Sequence, residues 1–215
     1  MNIKQTIAAF LVLGLLAGCG PTIYLAPDFD KVKSKHRTVA ILPFEVNITA
    51  KKLPKDVTSE MMRDEEKSTG RSIQNHSYTY FLREMAKDKY TVKFQDIDKT
   101  NATLEGAGIQ YADLKSRTKE ELCTLLDVDA VISGKVTMDK PMSDAGAIAV
   151  GFIFGVWTST NKVDVSMTIH NRKNSELLWK YDWLAEGGVG SSSEELTKNL
   201  MRNASKKFPY KKEKK

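Results

Sequence analysis

The side chains of this sequence that could act as nucleophiles or metal ligands are two cysteines and three histidines. Cys19 closes an apolar leader, and Cys123 lies in a predicted helix without an evident general base. Since a thiol needs such a base or a lowered pKa to react, Cys123 is interpreted as a small packed hydrophobe. His36, His76 and His170 are far apart in sequence, and none has a partner at metal-ligand spacing. We therefore predict no catalytic residue, no metal site and no cofactor.

The residues that lead into Cys19 have the composition of an export signal. Lys4 and the amino terminus supply positive charge, residues 7–16 are apolar, and the two residues before Cys19 are small. Residues 16–19 (Leu-Ala-Gly-Cys) resemble the lipobox of bacterial lipoproteins, in which the cysteine sulfur receives a diacylglyceryl group and a peptidase cuts before the cysteine. The resemblance implies cleavage between Gly18 and Cys19 and fatty acyl chains, such as palmitate, on Cys19. The alternative is an ordinary signal peptide followed by an incidental cysteine.

The residues after Cys19 predict where the anchored protein lies. Two or three acyl chains, at ~0.8 kcal/mol per buried CH₂, hold a protein firmly on a bilayer. Gly20 follows the cysteine and no acidic residue occurs before Asp28, which resembles outer-membrane sorting and implies a body that faces the periplasm. Residues 20–37 show no helical or strand periodicity and are interpreted as a tether. The predicted organisation is a signal peptide (1–18), a lipidated cysteine with its tether (19–37), a single α/β domain (38–208) and a basic disordered tail (209–215).

The formal charge of +6 belongs to the two ends of the chain. Lys4 lies in the leader, and residues 206–215 hold six lysines and one glutamate, so the remaining body is formally neutral. A protein that binds nucleic acid normally carries a basic face on its folded body. We therefore expect no nucleic-acid partner.

Alternating apolar strands and amphipathic helices predict an α/β domain. Residues 38–44 form a nearly continuous apolar run, which suits a strand buried on both faces. Residues 162–170 instead alternate between apolar and polar, which is typical of a half-buried antiparallel strand. We expect one three-layer-like domain with a mixed sheet of about five strands, three parallel and then an antiparallel hairpin, flanked by helices. The predicted strands are 38–44, 90–94, 130–136, 162–170 and 179–183, and the predicted helices are 56–87 (interrupted at Gly70), 118–126 and 194–206.

Three segments resemble one group of envelope lipoproteins. Residues 39–44 resemble the first strand of proteins related to the curli secretion lipoprotein CsgG, residues 126–136 their helix-to-strand junction, and residues 163–183 their closing hairpin. The same fold occurs in the lipoprotein activators of penicillin-binding proteins and in the N-terminal domain of the TolB translocation protein. The resemblance implies a non-enzymatic scaffold or assembly factor, and no family residue role is carried over to this chain.

Residues 145–157 form an uncharged, glycine-spaced apolar segment that differs from its flanks. The segment is shorter than the ~20 residues with which a helix spans a bilayer. Three interpretations stay open: a buried core helix or loop, a self-association surface where glycines permit close backbone approach, and a membrane-inserting hairpin. The candidate interface residues are Gly151, Phe152, Ile153, Phe154, Gly155 and Trp157.

These observations lead to one functional hypothesis and one rival. The hypothesis is a lipid-anchored, non-catalytic envelope protein that binds protein partners, or further copies of itself, during outer-membrane assembly or secretion. The rival is a periplasmic enzyme or a small-ligand-binding lipoprotein. A concave pocket with convergent polar groups beside Cys123 or a histidine would favour the rival.

We predict that Cys19→Ala releases the protein from membranes and leaves the precursor uncut or differently cut, because the acceptor of the lipid is removed. Fractionation of labelled cells measures both effects. Unchanged cleavage together with unchanged membrane retention would contradict the lipoprotein interpretation.

Overall fold

The computed structural model describes residues 20–50, 57–140, 162–186 and 193–212. The signal peptide, Cys19 and the 145–157 segment lie outside these residues. The described chain forms seven strands and five α-helices, with short 3₁₀ turns at Tyr111–Asp113 and Ser205–Lys207. In chain order the elements are β1 (Thr22–Leu25), α1 (Phe29–Lys33), β2 (Thr38–Ile41), β3 (Glu45–Ala50), α2 (Ser59–Met85), β4 (Lys93–Phe94), α3 (Ile97–Gly106), α4 (Lys119–Leu126), β5 (Ala130–Lys140), β6 (Lys162–Asn171), β7 (Leu177–Glu186) and α5 (Ser193–Ala204).

The strands form one mixed sheet in the order β1-β7-β6-β5-β2-β4, and β3 pairs with β5 beyond the end of β2. The pairs β2–β4, β2–β5 and β3–β5 are parallel, whereas β5–β6, β6–β7 and β1–β7 are antiparallel. The predicted mixed α/β sheet is confirmed, with seven strands rather than about five. The two additional strands are β1, which lies in the segment interpreted as a tether, and β3, which begins directly after the break at Pro43.

Consecutive residues of β2 point to opposite faces of the sheet, which explains the continuous apolar run of this strand. Val39 and Ile41 belong to the larger core cluster, where α2 and α5 pack on the sheet. Ala40 and the following Leu42 belong to a smaller cluster under α3 and α4. Helices therefore cover both faces, and the domain has three layers.

Phe44 occupies the corner between β2 and β3 and is fully buried. A Cβ atom on Gly134 of β5 would overlap the Phe44 ring, and a Cβ atom on Gly70 of α2 would overlap the Phe44 carbonyl oxygen. The Phe44 amide also donates to the Gly70 carbonyl oxygen at 3.2 Å. The expected interruption of the helix at Gly70 is therefore wrong: α2 is continuous, and the glycine allows the helix to approach the chain at this corner.

The segment after Cys19 is not a free tether but part of the body. β1 pairs with β7, and the Ala26 amide donates to the Leu178 carbonyl oxygen at 2.9 Å. Ala26 and Phe29 are buried in the larger core cluster. Because the segment holds only a four-residue strand and a single helical turn, it shows no periodicity in the sequence.

The C-terminal residues also pack on the body, contrary to the expected disorder from residue 209. Tyr210 is fully buried, and its carbonyl oxygen accepts a hydrogen bond from the Thr91 amide at 2.9 Å. The Lys212 amide donates to the Lys89 carbonyl oxygen at 2.8 Å. The lysines around Tyr210 suggest a solvated tail, but one aromatic side chain holds the segment in place.

We predict that Tyr210→Ala lowers the free energy of unfolding by roughly 3–5 kcal/mol, since it leaves a large cavity among Phe29, Phe208 and His36. Denaturant unfolding of the purified protein measures the change. The matched control is Tyr24→Ala, because the Tyr24 side chain is exposed. Equal stability of the two variants would mean that the segment does not contribute to the core.

Candidate functional site

Only part of the predicted set of functional residues lies in the described chain. Cys19, Gly18 and the candidate interface residues at 151–157 fall outside it. Cys123 is fully buried in the smaller core cluster, and burial raises the pKa of its thiol to about 12. The thiol is therefore protonated at neutral pH, and its interpretation as a packed hydrophobe is confirmed.

The three histidines belong to three different environments. His36 is buried, with Nδ1 at 2.5 Å from the Tyr210 hydroxyl and Nε2 at 3.3 Å from Asn171 Oδ1. Because the Asn171 oxygen can only accept, the neutral ring carries its proton on Nε2 and accepts the Tyr210 hydroxyl hydrogen at Nδ1. His76 lies on α2, and His170 lies on β6.

The described part of the chain holds neither a cluster of metal ligands nor a membrane-spanning helix. Within that part of the chain, no three His, Cys, Asp or Glu side chains come together in a way that could hold a metal ion. None of the described helices combines the length and the apolar character needed to cross a membrane.

A groove of about 540 Å³ opens where β2 ends and β3 begins. Helices α3 and α4 cover β2 and the start of β5, and the later part of β5 and the adjacent part of β6 keep partly exposed side chains. The walls come from the β2–β3 corner, from α2, from residues 111–115 and from Lys119 at the start of α4. The volume is in the range of ligand pockets in proteins.

The floor of the groove is the polar side of two neighbouring strands. Ser133 lies opposite Thr168 and Lys135 lies opposite Ser166 in the β5–β6 register, so these side chains share one face. His170 lies on the same side of β6 at the end of the floor. This side consists of the polar residues in the alternating pattern from which the sequence predicts a half-buried strand.

Among the described residues, side chains rather than another strand satisfy the outer edge of β3. The Tyr111 hydroxyl accepts a hydrogen bond from the Val46 amide at 2.9 Å and donates to the Phe44 carbonyl oxygen at 2.8 Å. Glu66 Oε1 accepts a hydrogen bond from the Ile48 amide at 3.0 Å. Burial raises the pKa of Tyr111 to about 12, so its hydroxyl remains a donor at neutral pH. These contacts fix the groove wall and occupy edge groups that could otherwise pair with a further strand.

Positive charge predominates in the groove. Glu45 forms an ion pair with Lys135 at 3.5 Å. The other groove carboxylate, Glu66, accepts a hydrogen bond from the Ile48 amide of β3. Arg63, Lys115 and Lys119 line the groove without an ion-pair partner among the described residues. Burial lowers the pKa of Lys119, while Glu45 acts in the opposite direction. An ammonium group that is poorly solvated gains from an anionic ligand.

The hydroxyl groups of Ser133, Thr168 and Tyr111 in the groove are hydrogen-bonded to one another and to the backbone. Ser133 Oγ and Thr168 Oγ1 are hydrogen-bonded to each other at 2.9 Å. His170 Nδ1 lies 3.0 Å from the Ser175 carbonyl oxygen, which only accepts, and burial lowers the pKa of this imidazole. Within the described chain, no groove hydroxyl is hydrogen-bonded to an imidazole or to a carboxylate, as an activated nucleophile requires.

Sequence reasoning missed most of this site. The alternation in β6 identifies its polar face, but it does not show that the described helices leave this face partly exposed. Ser133-Gly134-Lys135 interrupts the apolar start of β5 and is the available signal for the floor. No pattern in the sequence points to Tyr111 or Arg63, because both reach the groove from segments distant in the chain.

No protein-family model matches this chain, and no curated protein does. Solved structures show a distant likeness. The lipoprotein GNA1162 from Neisseria meningitidis has a TM-score of 0.43 and 13% identity over 79% of this chain and 94% of that chain. The PelC dodecamer from Paraburkholderia phytofirmans has a TM-score of 0.37 and 13% identity over 84% of this chain and 89% of that chain. The LpoB C-terminal domain from Salmonella enterica has a TM-score of 0.36 and 8% identity over 74% of this chain and 93% of that chain. These scores are too low to assign a family or a function.

We predict that the protein loses stability as the pH falls below 6.5. Burial lowers the pKa of His36 from its ordinary value of 6.5, although the Asn171 hydrogen bond and the Asp129 charge act in the opposite direction. The unfolded chain therefore binds the proton more readily, and the free energy of unfolding decreases as the pH falls through this window. His170, whose pKa burial also lowers, adds to the same trend.

Denaturant unfolding at a series of pH values between about 7 and 5 measures this slope. His36→Gln should reduce the slope without abolishing it, because His170 remains, and His170→Gln is the matched comparison. If His36→Gln leaves the pH dependence of the free energy of unfolding unchanged, protonation of the buried His36 does not contribute to it.

Proposed function

We propose that this chain is a lipid-anchored, non-catalytic protein of the cell envelope, with its body facing the periplasm, that binds protein partners in outer-membrane assembly or secretion. The observation that carries the binding role is the groove, in which three cations without an ion-pair partner among the described residues surround a floor of hydroxyl groups. Support for the anchor comes from the resemblance of residues 16–19 to a lipobox.

The chemistry of the groove favours an acidic segment of a partner protein. Arg63, Lys115 and Lys119 supply positive charge from three separate walls, so a chain laid along the floor meets a cation from several sides. The hydroxyl group of Ser166 can donate to a carboxylate or backbone oxygen of such a segment. Complementary charges of this kind set specificity and the rate of association more than total affinity.

A small anionic ligand is the second candidate. Two observations favour it: the volume of about 540 Å³ suits a small molecule, and His170 lines the groove. A partner segment would run across the groove and leave it at both ends, whereas a small ligand would be enclosed within it.

We predict that a photo-crosslinking residue at Ser166 or Thr168 of the anchored protein forms a discrete adduct in cells, whereas the same residue at exposed Lys93 on β4 does not. Lys119→Glu combined with Arg63→Glu should reduce the adduct at least tenfold, because like charges then face the acidic segment. Lys93→Glu is the matched charge reversal outside the groove.

Mass spectrometry identifies what is bound. An adduct of protein mass that depends on the two groove cations supports the proposal. A small molecule that stays bound to the purified protein in native mass spectrometry, and is lost in the Lys119→Glu variant, would favour the second candidate. Adducts at Lys93 but none in the groove would contradict both.

A further inference from the structure

Strand β1 presents large apolar side chains at one edge of the sheet. Ile23, Tyr24 and Leu25 are 39%, 45% and 50% exposed, and Leu184 on the neighbouring β7 is 40% exposed. No described strand pairs with the outer side of β1. Proteins normally protect such an edge with charges, bulges or a covering segment, and a contiguous apolar surface marks a contact site.

Apolar side chains lie on both faces of this edge. In the β1–β7 register, Ile23 lies opposite Tyr181, whose side chain belongs to the larger core cluster. Tyr24 points to the opposite face, and alternation along β7 places Leu184 on that face too. Large apolar side chains therefore project above and below the sheet at this edge. On the Tyr24 face they are joined by the ion pair between Lys180 and Asp182 at 2.8 Å, charges that suit the headgroup level of a bilayer rather than its apolar core.

The covalent chain brings this edge close to the lipid anchor. Two residues separate Cys19 from Thr22, and three peptide units span at most about 11 Å. Thr22 lies opposite Asp182, and β7 continues past Leu184 at the end of the strand where β1 begins. Acyl chains on Cys19 would lie in the bilayer, so the start of β1 cannot be far from the membrane surface.

We infer that the β1 edge, formed by Ile23, Tyr24, Leu25 and Leu184, contacts the lipid surface and holds the body directly on the membrane. This inference rests on the lipid anchor of the proposed function. The occupant is a bilayer rather than a second copy, because the anchor fixes the edge at the membrane of its own molecule. Tyr24 suits this position, since its ring is apolar and its hydroxyl can remain in water.

The test uses the mature lipidated protein on vesicles of phosphatidylethanolamine and phosphatidylglycerol. Tyr24→Cys and Leu184→Cys each introduce a site for a nitroxide spin label, and Lys93→Cys on β4, at the opposite edge of the sheet, is the matched control. Native Cys123 is buried, and the unsubstituted protein shows whether it takes any label. Collision rates with oxygen and with a water-soluble nickel complex report lipid and water contact, respectively.

We expect the oxygen-to-nickel ratio at positions 24 and 184 to be several times that at position 93. Equal ratios at positions 24, 184 and 93, on vesicles that carry the protein, would show that the β1 edge does not contact the lipid although the anchor holds the protein on the vesicle. Dipolar broadening between labels at position 24 would show pairing with a second copy and would also overturn it. Protein that does not float with the vesicles would refute the anchor and, with it, the inference.

Discussion

The close packing of Phe44 against Gly134 is the contact on which the shape of the sheet depends. β5 pairs first with β2 and then with β3, and the chain changes from one to the other at the corner that Phe44 occupies. The ring lies over β5 because Gly134 has no side chain. Gly70 permits α2 to pack against the same corner from outside. Two glycines on distant elements are therefore required by one aromatic residue.

The groove is a consequence of this corner. On the β2 side of the corner, leucine side chains of α3 and α4 pack on the sheet. On the β3 side, hydroxyl groups and Lys135 form the floor of the groove. Tyr111 is fixed at this corner, because its hydroxyl binds the Phe44 carbonyl oxygen at the corner and the Val46 amide at the start of β3. The corner at which the sheet changes from β2 to β3 thus also holds one wall of the candidate binding site.

Both ends of the described chain are attached to the same body. Ala26 is hydrogen-bonded to β7, and the Tyr210 hydroxyl to His36 in the segment between α1 and β2. Asn171 extends this buried network to the β6–β7 hairpin. In the proposed arrangement the body is connected to its lipid by a few residues rather than by a long tether, so the direction in which the groove faces is restricted relative to the membrane.

The sequence by itself determined the α/β class, the parallel strands at 38–44 and 130–136 and the closing hairpin, because apolar periodicity reports burial directly. The Thr118 cap, whose side chain accepts from the Glu121 amide, was likewise predictable from residues close in the chain. Only the tertiary structure decided the rest. β1 and Ala26 depend on contacts with β7, and Tyr210 depends on contacts with Phe29 and Thr91; all of these contacts are remote in sequence. One or two buried residues leave no periodic signal. The groove depends on which part of the β5–β6 face the described helices leave exposed, and no local sequence pattern shows where that is.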